Sequence, residues 1–395
     1  MNKFGFTRNM KNVRPNAEYT IEEWNEAVKY HFGPYVRRKS ILHHYRQQFR
    51  TELINLAKIQ PYSQYTNLLS WLLKLYRSAI RKNPKSALAF LVDRLDDIVA
   101  SDSRWMSLST TRVPLPKETP LQDQVFRVFN ELDTVLEGCF KLHLRIAYGF
   151  ATGDASGTFP TNVQSIDFGN LVARWPVSIT AQAALLLKDP EYGISISQWR
   201  NIAAHKNFRM KSSRTVGVEY GPASSRHTKT ITFAGLKRTL HWSVLTLNTI
   251  RLCNTIIYLE YMRDLHSIGL PKPTIRLDAL MMTLCHNINL VGFRCLSYSK
   301  PEPTFTINLT DEYERPLDEA IIHASQFLDQ LCVAATNDLT YRKRVKRVSV
   351  QIFSRGGEKL ATASAGVDTV LAFLDGKIKQ KTYINQVDFA LYSKV

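Results

Sequence analysis

Residues 194–208 read ISISQWRNIAAHKNF, and this stretch decides the predicted fold of the central part of the chain. Ser195 or Ser197 can cap a helix, because a serine hydroxyl accepts hydrogen bonds from the first free backbone N–H groups. The alanine-rich run that follows also favours a helix. The stretch is therefore predicted to form a short helix.

A β-hairpin and a long helix are predicted directly after this helix. Apolar and polar residues alternate over 216–220, the turn Gly221-Pro222 follows, and the run 228–233 is again rich in β-prone residues. The hairpin is expected to span 216–233. The helix after it is expected to start near residue 234 and to run to about residue 266.

A long amphipathic helix is predicted upstream, over residues 121–148. Its apolar seam follows alternating steps of three and four residues: Val125, Val128, Leu132, Val135, Cys139, Leu142 and Ile146. A proline-rich connector at 113–116 precedes it, and Gly149, Gly153 and Gly157 are expected to end its regularity. A further helical segment is expected at about 179–188.

The first 110 residues are predicted to be helical, and they mix basic with aromatic residues. The basic residues form three clusters: Arg37, Arg38 and Lys39; Arg46 and Arg50; and Arg77, Arg81 and Lys82. Such a mixture suits contact with phosphates and unstacked bases. It suits solvated helix faces around an aromatic core equally well.

A separate α+β domain is predicted from about residue 275. Strands are expected at 305–309, 348–352 and 387–391, helices at 318–333 and 367–374, and a hairpin turn at 355–357. The predicted fold class is mainly α with a C-terminal α+β domain. Three parts are expected: a helical region at 1–110, a central domain at 118–268 and the α+β domain at 275–395.

The charge balance favours a polyanionic partner. The 395 residues include 52 Lys and Arg against 34 Asp and Glu, which gives a formal net charge of +18. Nucleic acid is the commonest partner of so basic a surface. A basic composition that serves solubility alone is the alternative.

Several classes of protein are disfavoured. The chain contains no G-x-x-x-x-G-K-[ST] phosphate loop, no HExxH and no G-x-S-x-G. Five scattered cysteines with no CxxC pair argue against a disulfide framework or a zinc ribbon, so no metal and no cofactor are predicted. The first residues lack the apolar run of a secretion signal, and polar residues interrupt the apolar stretch 242–262. A cytoplasmic protein without a membrane partner is expected.

Arg200, Asn201 and His205 are the candidate catalytic residues. Histidine donates and accepts protons near neutrality, and arginine binds and stabilises phosphate oxygens. In a helix Asn201 and His205 share a face, whereas Arg200 and His205 lie about 140° apart and flank a groove. Two copies that face each other across a two-fold axis would surround a phosphate better than one copy does.

These residues resemble the R-N-x-x-x-H motif of HEPN domains. Trp199 matches the aromatic or apolar residue that commonly precedes the motif, and the hairpin with its final long helix is similar to the Apea-like branch of the family. The helix from residue 121 would be the opening helix of such a domain. The resemblance covers about residues 118–268 and implies a HEPN helical bundle with a β-hairpin insertion.

The resemblance implies a metal-independent endoribonuclease that acts as a homodimer. His205 would handle protons while a ribose 2′-OH attacks the adjacent phosphate, Arg200 would stabilise the transition state, and Asn201 would orient the histidine or the phosphate. Six further residues are candidates for RNA binding: Lys206, Arg209, Lys211, Arg214, Arg226 and His227. A role as a toxin or antiviral-defence effector, with an antitoxin or a trigger as partner, is an analogy to the family.

Other interpretations stay open at this point. Arg200 can pair with an acidic residue, and His205 can be an ordinary core histidine. HEPN-like folds also include non-catalytic modules that bind nucleic acid or support assembly. The C-terminal domain can instead sense a small ligand, and the basic run Arg342-Lys343-Arg344 can be an RNA track or a solvated linker.

Overall fold

The computed structural model describes residues 21–110, 119–270, 277–299, 302–337 and 343–392. Within these ranges the chain is mostly helical with two small sheets, as the sequence predicts. Residues 24–273 belong to one compact unit, and the chain from residue 274 onwards belongs to a second. The predicted connector at 113–116 lies outside the described residues.

Six helices fill the first described range. They are α1 (Ile21–Phe32), α2 (Lys39–His44), α3 (Arg46–Ile59), α4 (Ser63–Lys82), α5 (Pro84–Asp93) and α6 (Leu95–Thr110). Between α4 and α5 the Asn83 side chain accepts a hydrogen bond from the Ser86 N–H (3.3 Å), and Pro84 occupies the first helical position. The helical prediction is confirmed for residues 21–110, and apolar residues at helical spacing bury one face of α3, α4 and α5.

One continuous helix follows, from residue 121 to residue 156. It consists of α7 (Leu121–Asp133), a π-helical segment (Thr134–Phe140) and α8 (Lys141–Ser156). The prediction that Gly149 and Gly153 end its regularity is wrong. Both glycines sit against phenylalanine rings, and a Cβ on Gly149 would lie 2.2 Å from the Phe90 ring, so packing requires glycine there. Gly157 ends the helix in the left-handed conformation, with φ +76°.

The rest of the first unit contains four helices and a small sheet. They are α9 (Phe168–Ala173), α10 (Ala184–Leu187), α11 (Ile196–Ala204), β1 (Phe208–Met210), β2 (Thr215–Tyr220), β3 (His227–Thr232) and α12 (Phe233–Ser267). β2 and β3 form the predicted antiparallel hairpin, and β1 adds a third strand. The helix expected at 179–188 shrinks to a 3₁₀ turn at 177–179 and the four residues of α10.

Within the described ranges, residues 24–110 and 119–268 share one hydrophobic core. α12 lies in its centre, where α3, α4, α5, α7 and α8 all contact it. The Tyr258 hydroxyl of α12 donates a hydrogen bond to the carbonyl of Leu91 on α5. The boundary expected between 110 and 118 therefore does not separate two domains.

The second unit is an α+β structure, as expected. Its elements are α13 (Leu277–Leu290), β4 (Phe293–Tyr298), β5 (Thr304–Asp311), α14 (Leu317–Ser325), α15 (Leu328–Asn337), β6 (Arg347–Phe353), β7 (Lys359–Gly366), α16 (Val367–Leu374), α17 (Gln380–Ile384) and β8 (Asp388–Leu391). The strands lie in chain order, with only β5 and β6 parallel. The predicted helix 318–333 is two helices, and α13, β4 and α17 were not predicted.

A buried ion pair joins α4 to α12. Arg77 donates from Nε to Glu260 Oε2 (2.9 Å) and from Nη2 to Glu260 Oε1 (2.5 Å), with both side chains almost fully buried. A third Arg77 hydrogen bond goes to the Tyr35 carbonyl, and Glu260 also accepts from the Arg37 N–H (2.9 Å). Removal of one partner would leave the other charge buried without compensation.

We therefore expect Glu260→Gln to lower the free energy of unfolding by about 3 kcal/mol, because Arg77 keeps its charge and loses its counter-ion. Urea denaturation measures this loss. The matched control is Glu26→Gln, which breaks the exposed Lys29–Glu26 pair (2.5 Å) and should cost about 0.5 kcal/mol or less. Equal unfolding midpoints for the two variants would contradict the expectation.

A fully buried histidine should make stability depend on pH. Burial lowers the pKa of His143 to about 4, and its Nδ1 accepts a hydrogen bond from Asn254 Nδ2 (2.8 Å). The unfolded chain protonates this histidine at a higher pH than the folded chain does. The stabilisation that neutral His143 provides is therefore complete above pH 6.5 and is lost as the pH falls towards 4. We expect wild type to lose about 3 kcal/mol more than His143→Gln over this interval. The exposed control His266→Gln should behave as wild type does.

Candidate active site

The helix α11 is capped as its sequence predicts, and the buried Trp199 anchors it. The Ser195 hydroxyl accepts a hydrogen bond from the Gln198 N–H (3.3 Å). Trp199 is fully buried, and its Nε1 donates to Asp189 Oδ2 (3.2 Å). Burial raises the pKa of the Asp189 carboxyl in spite of this bond. The cap and the buried indole together fix the orientation of the helix, so the residues beside Trp199 project in defined directions.

His205 lies at the C-terminal end of α11 and is exposed. Its N–H donates to the Asn201 carbonyl (3.0 Å), and the next residue, Lys206, adopts the left-handed conformation with φ +54°. The Asn207 N–H then donates a hydrogen bond to the Ile202 carbonyl (3.0 Å). This turn ends the helix and leads into β1, so the imidazole stands at a helix end and not in the core.

Arg200 is held by the long helix that starts at residue 121. Its Nε donates to Glu137 Oε2 (2.8 Å), and its Nη1 donates to Asn201 Oδ1 (3.1 Å). Lys141 Nζ donates to Glu137 Oε1 (2.5 Å). Partial burial by itself raises the pKa of Glu137, but the hydrogen bonds from Lys141 and Arg200 outweigh it and hold that pKa below its usual value. Glu137 is therefore a carboxylate shared by two cations.

Glu137 belongs to the π-helical segment. A π-helical turn widens the helix and shifts the residues after it relative to regular α-helical spacing, and such segments are often found at functional sites. Lys141 remains four residues away at the start of α8, within reach of the carboxylate. The segment places one carboxylate beside α11 without a break in the helix.

Asn201, His205 and Arg226 open into the same polar cleft, of about 170 Å³. Its lining residues are Gln198, Asn201, His205, Asn207, Glu219, Tyr220, Gly221 and Arg226. The third member of the predicted catalytic set, Arg200, does not line the cleft. The structure thus brings two of the three predicted catalytic residues together with one predicted RNA-binding residue.

The wall of the cleft is the turn between β2 and β3. The Gly221 N–H donates to Gln198 Oε1 (3.0 Å), which ties the turn to α11. Glu219 lies 3.5 Å from an Arg226 nitrogen and 3.9 Å from an Arg209 nitrogen. Both arginines are largely exposed, so these loose pairs leave their guanidinium groups accessible to a competing anion.

The other predicted RNA-binding residues lie outside the cleft. Lys206 donates to Asn130 Oδ1 (2.5 Å) on α7. The His227 ring lies 5.5 Å from the ring of Tyr220, which faces it across the hairpin. Lys211 and Arg214 lie at the other end of β2, where the Lys211 side chain covers Gly217 and the Arg214 carbonyl accepts the Phe233 N–H (3.0 Å).

The sequence interpretation missed most residues that build the site. The missed residues are Glu137, Lys141, Gln198, Asn207, Glu219 and Tyr220. Glu137 and Lys141 stand four apart on a predicted helix, which is the spacing of a helical ion pair, but this spacing is too common to indicate a site. The alternative in which Arg200 pairs with an acidic residue is the one observed, whereas His205 is not a core histidine.

No group of three or more His, Cys, Asp and Glu side chains suited to a metal ion occurs within the described ranges. None of the helices that the structure describes has the length and apolar character needed to cross a membrane. Comparison with known proteins found no protein family, no curated protein and no solved structure that matches this chain.

Proposed function

We propose that the chain is a metal-independent endoribonuclease of the HEPN type, which cleaves RNA by attack of a ribose 2′-OH on the adjacent phosphate. The observation that carries the proposal is the cleft into which His205, Asn201 and Arg226 all open. It combines an exposed imidazole, which can transfer protons, with an amide and a guanidinium, which can bind and stabilise phosphate oxygens.

In this mechanism His205 accepts the proton of the 2′-OH while O2′ forms its bond to phosphorus. The P–O5′ bond breaks, and the leaving oxygen takes up a proton. The products carry 2′,3′-cyclic phosphate and 5′-OH ends. Because the cleft contains one imidazole, the second proton transfer requires water or the same histidine of a second copy, which is consistent with a homodimer.

The two arginines take different roles in this proposal. Arg226 is the cation that lines the cleft, so it is assigned to the phosphate oxygens. Arg200 is paired with Glu137 and binds Asn201 Oδ1 (3.1 Å). The Asn201 side chain therefore keeps its Nδ2 donors for a phosphate oxygen or for His205. Arg200 is a positioning residue as long as its pair with Glu137 persists.

The arrangement of elements supports a HEPN bundle. A long opening helix, the motif helix α11, a hairpin and the final long helix α12 follow one another in the order that the resemblance implies. RNA, a homodimeric state and regulation by an antitoxin or trigger are parts of the same proposal. The role of a toxin or antiviral-defence effector rests on family analogy alone.

A non-catalytic RNA-binding module is the second candidate. The observation that favours it is the Arg200–Glu137 pair, which removes one predicted catalytic cation from the cleft. In that case the cleft would bind a phosphate without cleavage. The two candidates differ in what a histidine variant changes, because only catalysis requires the imidazole.

We expect the purified protein to cleave cellular RNA in EDTA and His205→Ala to reduce the rate by about 100-fold or more, since a general base typically contributes this much. Analysis of the RNA ends should show cyclic phosphates. His266→Ala, which removes an exposed histidine of α12, is the control and should cleave as wild type does. Cleavage that needs added magnesium and persists in His205→Ala would exclude the proposed mechanism.

We expect Arg226→Gln to weaken cleavage by roughly 10- to 100-fold, because a charge-assisted hydrogen bond to phosphate is worth about 1.5–3 kcal/mol. Cleavage rates of a short single-stranded RNA measure the effect. Arg174→Gln is the control, since Arg174 is exposed and does not line the cleft. Equal cleavage rates for both variants would show that Arg226 does not contact the phosphate.

A further inference from the structure

The positive charge of the protein is concentrated in one unit. Residues 24–273 contain 33 Lys and Arg against 18 Asp and Glu, whereas residues 274–395 contain 15 against 13. The stretch 27–51 holds six Lys or Arg and three His without a single acidic residue. The net positive charge per residue in this stretch is therefore far above the average for the rest of the chain.

Several basic residues of this stretch lie on or directly beside α2. Arg37, Arg38 and Lys39, here named the α2 patch, are consecutive and exposed. His43, His44 and Arg46 are exposed close by. Among the described residues, none forms an ion pair with a side chain of the α2 patch. Unpaired clustered cations repel one another and attract a polyanion.

The backbone under the α2 patch is held firmly. The Arg77–Glu260 ion pair binds it at two points, the Tyr35 carbonyl and the Arg37 N–H. Val36, between these points, is buried. A buried ion pair thus holds the backbone from which the exposed side chains of Arg37 and Arg38 project. Such a fixed backbone lowers the ordering cost when the patch binds a ligand.

An aromatic side chain lies beside the α2 patch. Tyr261 follows Glu260 on α12, is half-buried, and interacts electrostatically with Arg37 and Arg38. Exposed ring surface next to a line of cations is the combination that binds single-stranded nucleic acid, because the bases stack while the cations hold phosphates.

We propose that the α2 patch is a second RNA site, which binds the backbone of single-stranded RNA at a distance from the cleft. It rests on the proposed function only in that RNA is the shared ligand. The patch sets how long an RNA must be to bind tightly. It contacts phosphates and not base edges, so it discriminates by length and not by sequence.

The distance between the two sites follows from two parallel helices. The Cys139 carbonyl accepts from Ser101, whose neighbour Asp102 binds Arg251 (2.7 Å). His143 binds Asn254 (2.8 Å), so α12 runs in the same direction as the helix 121–156. Glu137, which holds the motif helix, is six residues before His143, and Glu260 is six residues after Asn254. These steps place the α2 patch roughly 18 Å along the helix axes from Arg200, which Glu137 binds. The cleft lies further still, because Lys206 beside it binds Asn130, seven residues before Glu137.

A stacked strand advances about 3.4 Å per nucleotide, so an RNA needs more than about five nucleotides to reach both sites. Shorter RNAs can occupy only one site at a time. Longer RNAs gain affinity because the second contact is intramolecular. The proposal therefore predicts that the affinity rises once the RNA exceeds a threshold length, and not that all RNAs bind equally more tightly.

The test measures RNA binding by fluorescence anisotropy in the full-length His205→Ala protein, which separates binding from cleavage. The test variant is Arg37→Gln/Arg38→Gln/Lys39→Gln. The control is Lys377→Gln/Lys379→Gln/Lys381→Gln, which removes the same charge from exposed positions of the second unit. The probes are single-stranded RNAs of about 30 and about 4 nucleotides. Thermal unfolding checks that both variants fold.

We expect the test variant to bind the long RNA at least 10-fold more weakly than the control. The slope of log K against log salt should fall by about 2, because each phosphate contact of a single strand contributes about 0.7. Binding of the short RNA should fall much less than binding of the long one. The double variant Arg38→Gln/Lys39→Gln should give about two-thirds of the change in slope.

Equal affinity and slope for the test and control variants would overturn the proposal. So would a patch-dependent binding to vesicles of anionic lipid together with unchanged RNA binding, which would assign the patch to a membrane surface. The outcome is independent of catalysis. If wild type cuts no RNA but the test variant loses long-RNA affinity, the α2 patch stands and the ribonuclease proposal fails.

Discussion

Two buried charges on α12 hold the first unit together. Arg251 lies 2.7 Å from Asp102 on α6 and 3.7 Å from Glu52 on α3, and Glu260 is bound by Arg77 on α4. A charge removed from water is tolerated only when a partner meets it, so these helices have little freedom to pack elsewhere. The N-terminal helices are therefore part of the same unit as the motif helix.

The candidate site also depends on ion pairs, and these are less buried than those of α12. Glu137 accepts from both Lys141 and Arg200, and Arg200 in turn binds Asn201. One carboxylate thus orients the amide that faces the cleft. The hairpin then adds Arg226 from another part of the chain. In the proposed mechanism, the cation that meets the phosphate comes from the hairpin, and the arginine of the motif serves to position its neighbour.

Local patterns predicted most helices and strands correctly. They failed where contacts between distant segments determine the local structure. Gly149 and Gly153 look like helix breakers in the sequence, but the rings of Phe90 and Phe159 occupy the space of their side chains. The π-helical segment around Glu137 left no trace in the apolar seam. The division at residue 110 failed for a related reason, because a shared core leaves no mark at a single position of the sequence.

The sequence by itself determined the capped helix α11, the hairpin, the long helix α12 and the excess of positive charge. Each is a local or additive property, because caps, alternation and charge depend on near neighbours or on totals. Only the tertiary structure decided which charges meet. It paired Arg200 with Glu137, 63 residues away, and placed Arg226 in the cleft with His205. Such contacts depend on how helices pack, which no local pattern encodes.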